Sequence, residues 1–352
     1  SLDDYIYGIN ISSGKQLWRY KIGDTQHSIP IVYKDLVISG SVNDYLYAFN
    51  VLTGEIAWKY QTGDMYYSPT LEEETLYAVS REEQIFAFHT ETGELLWDFK
   101  TFDENNPSPT IGGDKLFIGS DDNKVYAFNA NSGEQLWKFQ TLEDIRVSPA
   151  YADNVVYIGS NDDRLYAVDA DTGTKLWEYE TKGNIYSSPV IYENKVYLTS
   201  LDSNLYVLDA KTGDFLWDFS TEASIYAAPI INNGVLYIAS YDYNLYTLDA
   251  DTGESFWTFP TEDKIENAPL IQKGIVYLTS NDANIYAINE STGKQIWKYT
   301  AEADISASPI ISGDNLYVGS KDDYLYAINI IDGSLLWKFK TGSDIYNSAA
   351  VA

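Results

Sequence analysis

Apolar and polar residues alternate along this chain in short runs with a period of two, separated by clusters of Asp, Asn, Lys and Gly. Residues 188–221 show one full cycle. Ser188-Pro189-Val190-Ile191 predicts a short strand, a, whose proline stands near its start, where a missing N–H is tolerated. Tyr192 to Lys195 reads as a turn, Val196 to Ser200 as strand b, and Leu201 to Asn204 as a second turn. Leu205 to Asp209 predicts strand c, alternating and rich in β-formers. Ala210-Lys211-Thr212-Gly213 makes a tight turn, its glycine free to take positive φ, and Phe215 to Phe219 predicts strand d.

The cycle recurs along the whole chain, and the tryptophans mark it. They stand at Trp18, Trp58, Trp97, Trp137, Trp177, Trp217, Trp257, Trp297 and Trp337, in steps of 40 with a single step of 39. A glycine precedes each by four residues, from Gly14 to Gly333. A proline keeps the same period from Pro30 to Pro309, with Ala349 in the ninth place. Units of about forty residues with four short strands describe a β-propeller blade. Period-2 patterning and Gly/Asp/Asn turns exclude a helical solenoid. The expected fold is all-β: one toroidal β-propeller of four-stranded blades, spanning residues 1–352 as one domain.

Trp97-Asp98 and Trp217-Asp218 lack a preceding Gly-His pair, and seven tryptophans lack the aspartate, which argues against WD40 repeats. The pattern Ala-x-Asp/Asn, then Gly, then Trp is more specific. It reads Ala48-Phe49-Asn50 through Gly54 to Trp58, and Ala167-Val168-Asp169 through Gly173 to Trp177. This resembles the tryptophan-docking motif of the PQQ-like repeat family, which includes quinoprotein dehydrogenases and BamB-type outer-membrane assembly propellers. The resemblance covers essentially the whole chain. It implies that each indole is held between the motif's alanine and a glycine peptide of the neighbouring blade. Gly8, Ala48, Ala87, Ala127, Ala167, Ala287 and Ala327 fit that role, whereas Val207 and Thr247 depart from it and predict looser packing.

Pro-to-Trp units give eight complete repeats over about residues 24–341. Residues 1–22 supply strands c and d of a further unit, and residues 345–352 its strand a. Ala352 aligns with Ser312 and Ser1 with Ser320, so seven positions, those of strand b and its turn, separate the ends. The complementary ends favour a nine-bladed ring with a split closing blade; family habit gives eight blades as the alternative.

Composition narrows the chemistry. The charge sum is 23 − 52 = −29, which repels phosphate backbones and anionic lipid and makes nucleic acid an unsuitable partner. The chain has no cysteine and two histidines, His27 and His89, which excludes disulfides, thiolate sites and multi-histidine zinc. No apolar run approaches the eighteen residues of a membrane span. The alcohol-oxidising relatives implied by the resemblance are longer, and many set a disulfide of adjacent cysteines against a quinone above calcium and an aspartate base. None of that is legible here, so no cofactor, metal or catalytic residue is expected. No spacing singles out a carboxylate pair for glycoside hydrolysis, and no Gly-rich phosphate loop is present. Asp169–Gly173 and Asp249–Gly253 lack the later ligands of a calcium loop and read as turns. Asn10-Ile11-Ser12 and Asn289-Glu290-Ser291 match a glycosylation sequon at the same turn, by chance on this reading.

The repeat copies can be compared with one another. Tyr7, Tyr47, Phe86, Tyr126, Tyr166, Tyr206, Tyr246, Tyr286 and Tyr326 recur on strand c and predict packing between blades. The position three residues before the proline varies instead: His27, Tyr66, Asn106, Arg146, Tyr186, Tyr226, Glu266, Ser306 and Tyr346. It follows an isoleucine in six copies, Ile145 to Ile345, a buried anchor on this reading. Strand alternation puts the d-to-a and b-to-c loops on one face, so this position is expected to rim a central channel. His27, Tyr66, Asn106, Arg146, Tyr186, Tyr226, Glu266 and Tyr346 are the candidate binding residues, because loops on a rigid scaffold carry recognition. The b-to-c loops on that face are acidic at Asp3-Asp4, Glu82-Glu83, Asp121-Asp122, Asp162-Asp163 and Asp322-Asp323, and read mainly as turn formers.

The functional expectation is a non-catalytic scaffold for protein–protein interaction or assembly, monomeric, with a protein partner and no membrane insertion. A quinone- or carbohydrate-binding propeller and a degenerate PQQ-dependent dehydrogenase are the alternatives. The resemblance implies an extracytoplasmic location, periplasmic or at the cell surface.

Overall fold

A computed structural model describes residues 1–23, 28–101 and 107–352, and these contain strands and turns without a helix. Among the described residues, eight four-stranded sheets follow one another along the chain, each with its strands side by side in sequence order. In the fifth, the strands are Val190–Tyr192, Lys195–Thr199, Asn204–Asp209 and Phe215–Ser220. Pro189 falls just outside strand a, so its absent N–H costs no ladder bond. Strands b and c are buried along nearly their whole length, whereas strand d alternates covered and exposed. Inner strands covered on both faces and an outer strand covered on one account for that pattern.

Ahead of these sheets, β1 (Tyr5–Ile9) and β2 (Gln16–Lys21) form a two-stranded sheet, the c and d strands expected at the N-terminus. Residues 345–352 form no strand, which corrects the expectation of a strand a there. In the eighth sheet strand a is held by strand b, with Ile310 opposite Tyr317 and Ser312 opposite Asn315. Residues 350–352 have no such partner strand. Among the described residues the complete blades therefore number eight, the alternative count, and the ninth unit is the β1–β2 pair.

The chain divides into two compact units: Ser1–Ser68 with Tyr241–Leu248 and Ser255–Ala352, and Pro69–Ser240 with Asp249–Glu254. In the second unit, Trp97, Trp137 and Trp177 donate their indole N–H to the carbonyls of Ala130, Ala170 and Ala210 at 2.8, 2.9 and 3.1 Å. Each indole lies opposite the motif alanine of its own sheet, as Trp177 does to Ala167, and an extra residue bulges strand d beside it. Its other face meets the next turn: a Cβ on Gly173 would come within 2.8 Å of the Trp137 ring. The expected clamp is thus formed. Trp217, paired with Val207, reaches the carbonyl of Asp251 rather than of Ala250 and is only half-buried. Trp257, paired with Thr247, is half-buried too. The looser packing expected at Val207 shows in the shifted acceptor of Trp217, whereas Trp257 keeps the regular one, the Glu290 carbonyl at 2.9 Å, and Trp337 opposite Ala327 is half-buried as well.

In the first unit, Trp297 docks on Ile330 at 3.0 Å, Trp337 on Ile11 at 3.0 Å, and Trp18 on Val51 at 2.8 Å. The two-stranded sheet is thereby clamped between the first and eighth sheets. Leu2 N–H bonding the Asp344 carbonyl at 3.0 Å ties the chain's ends together.

Candidate functional site

The strand-c aromatics pack between sheets as expected: Tyr166 meets Phe139 edge-on at 5.4 Å and Tyr206 meets Tyr179 at 5.7 Å. Their hydroxyls do something the sequence reading missed. Tyr166 donates to Asp162 at 2.8 Å, four residues earlier in the b-to-c loop, and the same carboxylate accepts the Leu142 N–H at 2.9 Å from the chain leaving the preceding sheet. Asp202 does the same for Tyr206 and Lys182, and Asp322 for Tyr326 and Glu302. Asp3 serves Tyr7 and Gly342 at the terminal sheet. The legible signal was Asp-x-x-x-Tyr; it breaks only at Asn43 with Tyr47 and at Glu82 with Phe86. Burial, reinforced by the Asp162 hydrogen bond, pushes the Tyr166 phenol well above its usual value. One carboxylate of each of the pairs Asp3-Asp4, Asp162-Asp163 and Asp322-Asp323 is therefore mortar between sheets. Asp163 and Asp323 take positive φ in the turn.

The d-to-a chain and the b-to-c loop thus share a face, which is where the variable position lies. His27 and Asn106 fall outside the described residues. The anchors ahead of this position are buried: Ile145 and Ile185 settle against Gly119 and Gly159 of the preceding sheet, where a Cβ would come within 2.4 and 2.5 Å of them. With the anchor fixed, the following side chain is turned outward.

In the second unit the structure brings together Arg146, Tyr186 and Tyr226. The two tyrosines are each 39% exposed and meet edge-to-face at 6.3 Å. Arg146 lies beside Asp144 at 3.0 Å and Asp121 at 3.5 Å. Its hydrogen bond with Tyr186, and beyond the burial penalty the charges of Asp121 and Asp144, raise the guanidinium pKa above its usual value. In the first unit, Glu266 accepts from Asn281 Nδ2 at 2.8 Å, and Tyr346 bonds Asp344 at 3.1 Å beneath Lys321, 5.3 Å from its ring. Burial and that Asp344 bond raise the Tyr346 phenol. Tyr66 stacks edge-on against Tyr67 at 5.2 Å.

Asp121, Asn281 and Lys321 share one repeat position, the residue after an invariant serine in the b-to-c loop, which reads Leu2, Val42, Arg81, Asp121, Asn161, Leu201, Tyr241, Asn281 and Lys321. This second variable position contacts the first and was not singled out in the sequence, although its variation between Ser and Asp was visible. Asn161 Oδ1 and Asn281 Oδ1 are buried without a hydrogen-bond partner. In the second unit the site thus offers two aromatic faces, one guanidinium and the carboxylates of Asp121 and Asp144.

The quinone-and-calcium arrangement does not fit these residues. There is no cysteine to form the adjacent disulfide, and among the described residues no group of three or more His, Asp or Glu is placed to hold a metal. No helix among them is long and apolar enough to cross a membrane.

Comparison with known proteins bears on these observations. The family model described as outer membrane protein assembly factor BamB matches residues 1–69, 62–148, 142–232 and 216–350. No curated protein matches the sequence. Among solved structures, BamB from Moraxella catarrhalis is similar at TM-score 0.69 and 19% identity, over 80% of this chain and 90% of that one. The computationally designed Ika8 protein is similar at TM-score 0.69 and 14% identity, over 90% and 96%. A europium-containing methanol dehydrogenase is similar at TM-score 0.64 and 13% identity, over 94% and 81%. At these identities the likenesses speak to fold, that of a β-propeller, which an assembly factor and a dehydrogenase share.

Proposed function

This chain belongs to the family of the outer membrane protein assembly factor BamB, and from that premise we propose that it is a non-catalytic propeller scaffold that docks a protein partner through its loop face. The observation that carries the reading is the exposed Arg146–Tyr186–Tyr226 group, held on a backbone position whose side chain changes from copy to copy. Tyr and Arg are the side chains that most often dominate interfaces, and rigid anchoring lowers the entropy cost of using them. The eight rim positions, His27, Tyr66, Asn106, Arg146, Tyr186, Tyr226, Glu266 and Tyr346, form the docking surface in this reading. Residues 1–352 then act as one monomeric domain in an extracytoplasmic compartment, as the family's description suggests. At a net charge of −29 the favoured partner face is basic.

The test is capture from a cell-envelope extract on the immobilised chain. Tyr186→Ala and Tyr226→Ala should each weaken capture about tenfold or more with unchanged melting temperature, and salt should weaken it further. Capture indifferent to both substitutions removes the rim from the function. A quinone absorbance with calcium-dependent oxidation of an alcohol removes the scaffold reading altogether.

A further inference from the structure

Asn161 belongs to the same loop face as Arg146, Tyr186 and Tyr226, and its Oδ1 is buried without a hydrogen-bond partner. A buried acceptor left without a donor is destabilising, so the position asks for one. Its backbone is fixed. The Asn161 N–H bonds the Asp144 carbonyl at 3.0 Å, and the Ser160 hydroxyl bonds the carbonyls of Glu143 at 3.1 Å and Asp144 at 3.3 Å. Repeat equivalence shows where the side chain reaches. In the first unit Asn281 donates to Glu266, fifteen positions before it, and Lys321 lies 5.3 Å from the ring of Tyr346, twenty-five after it. The same two steps from Asn161 arrive at Arg146 and Tyr186. Arg146 does not answer the oxygen, because its guanidinium turns to Asp144 and Asp121. Two carboxylates against one guanidinium leave the group one negative charge in excess, beside two tyrosines that are each 39% exposed.

We propose that this group grips an arginine side chain of the partner, whose guanidinium lies against the Tyr186 and Tyr226 rings and donates to Asn161 Oδ1. The proposal rests on the rim docking a protein, and it names the residue type by which the rim does so. A cation answers the excess negative charge. A planar cation also stacks on aromatic rings. The guanidinium's five N–H donors, set in a fixed fork, reach an amide oxygen and a neighbouring carboxylate together. A lysine ammonium brings the charge without the plane or the fork. An anionic side chain meets the excess negative charge and finds Arg146 already paired with Asp144 at 3.0 Å. The first unit holds a natural control. Asn281 Oδ1 and the Ser306 hydroxyl are buried without partners there, but the rim residues at the two corresponding steps, Glu266 and Ser306, offer no aromatic ring.

The test titrates the full chain, isotope-labelled in its tyrosine rings and followed by NMR, with N-acetylarginine amide, the lysine amide and the neutral citrulline amide. The expected result is a saturable shift of the Tyr186 and Tyr226 rings with the arginine amide, weaker binding of the lysine amide and none of the citrulline amide. Asn161→Leu should weaken arginine binding about tenfold, because a charged donor loses its acceptor, with the melting temperature unchanged. Asn161→Asp should tighten it by adding a carboxylate, and Asn281→Leu should leave it as it was. The proposal is overturned if the arginine amide fails to saturate at any concentration the fold withstands, if lysine or citrulline binds equally, or if either Asn161 substitution has no effect. Capture of a partner that depends on both tyrosines, without arginine binding, leaves docking at the rim in place and removes the arginine. Arginine binding with capture indifferent to both tyrosines removes the docking reading, and the partner's arginine with it.

Discussion

Asp162 joins two sheets through one carboxylate, accepting from Arg164 N–H, Leu142 N–H and the Tyr166 hydroxyl. Removing it leaves three donors short of a partner, so Asp162→Ala should cost about 2–4 kcal/mol, and Tyr166→Phe about 1 kcal/mol, by urea unfolding. Asp209 works within one turn: hydrogen bonds from the backbone of Thr212 and Lys211, at 2.8 and 2.9 Å, hold its pKa below the usual carboxylate range. A depressed folded-state pKa means its contribution is complete above about pH 4 and is lost as the pH falls through the folded value. Asn50 and Asn129 make the same turn elsewhere without titrating. Asp209→Asn should therefore track the parent chain near neutrality, and the parent should lose stability relative to it only below about pH 4, in melts followed by circular dichroism.

At the scale of elements, the c-to-d turn and strand d act as one clamp. Gly173 combines a φ of +70° with an indole where its Cβ would stand, whereas Gly274 has a φ of +77° and open space. Both alanine substitutions incur the left-handed backbone penalty of about 1–2 kcal/mol. Gly173→Ala adds displacement of Trp137, about 1–3 kcal/mol more. Comparing the two by denaturant unfolding isolates the clamp; equal costs would mean the indole yields freely. Strand positions were legible because period-2 runs and turn residues are local signals. The strand a expected at residues 345–352 does not form, because a three-residue strand of that kind depends on pairing with a strand b, which local pattern does not report.

For the molecule as a whole, a net charge of −29 implies self-repulsion that counterions relieve. Thermal stability should rise with added salt at neutral pH, while association with a basic partner should slow. Those opposite trends, read by melting and by binding kinetics on one preparation, separate the charge of the fold from the charge of the interface.

The sequence by itself determined the repeat, its strands and its turns, because each rests on neighbours a fixed number of residues away and recurs along the chain, while the indole clamp was implied by the family resemblance of its motif. It also pointed to the variable rim, since a buried isoleucine fixes where the next side chain can go. Tertiary structure alone decided that Asp162 and its equivalents join sheets and that Arg146 meets Tyr186 and Asp121. Those contacts arise between copies, where local pattern carries no record of which residues come face to face.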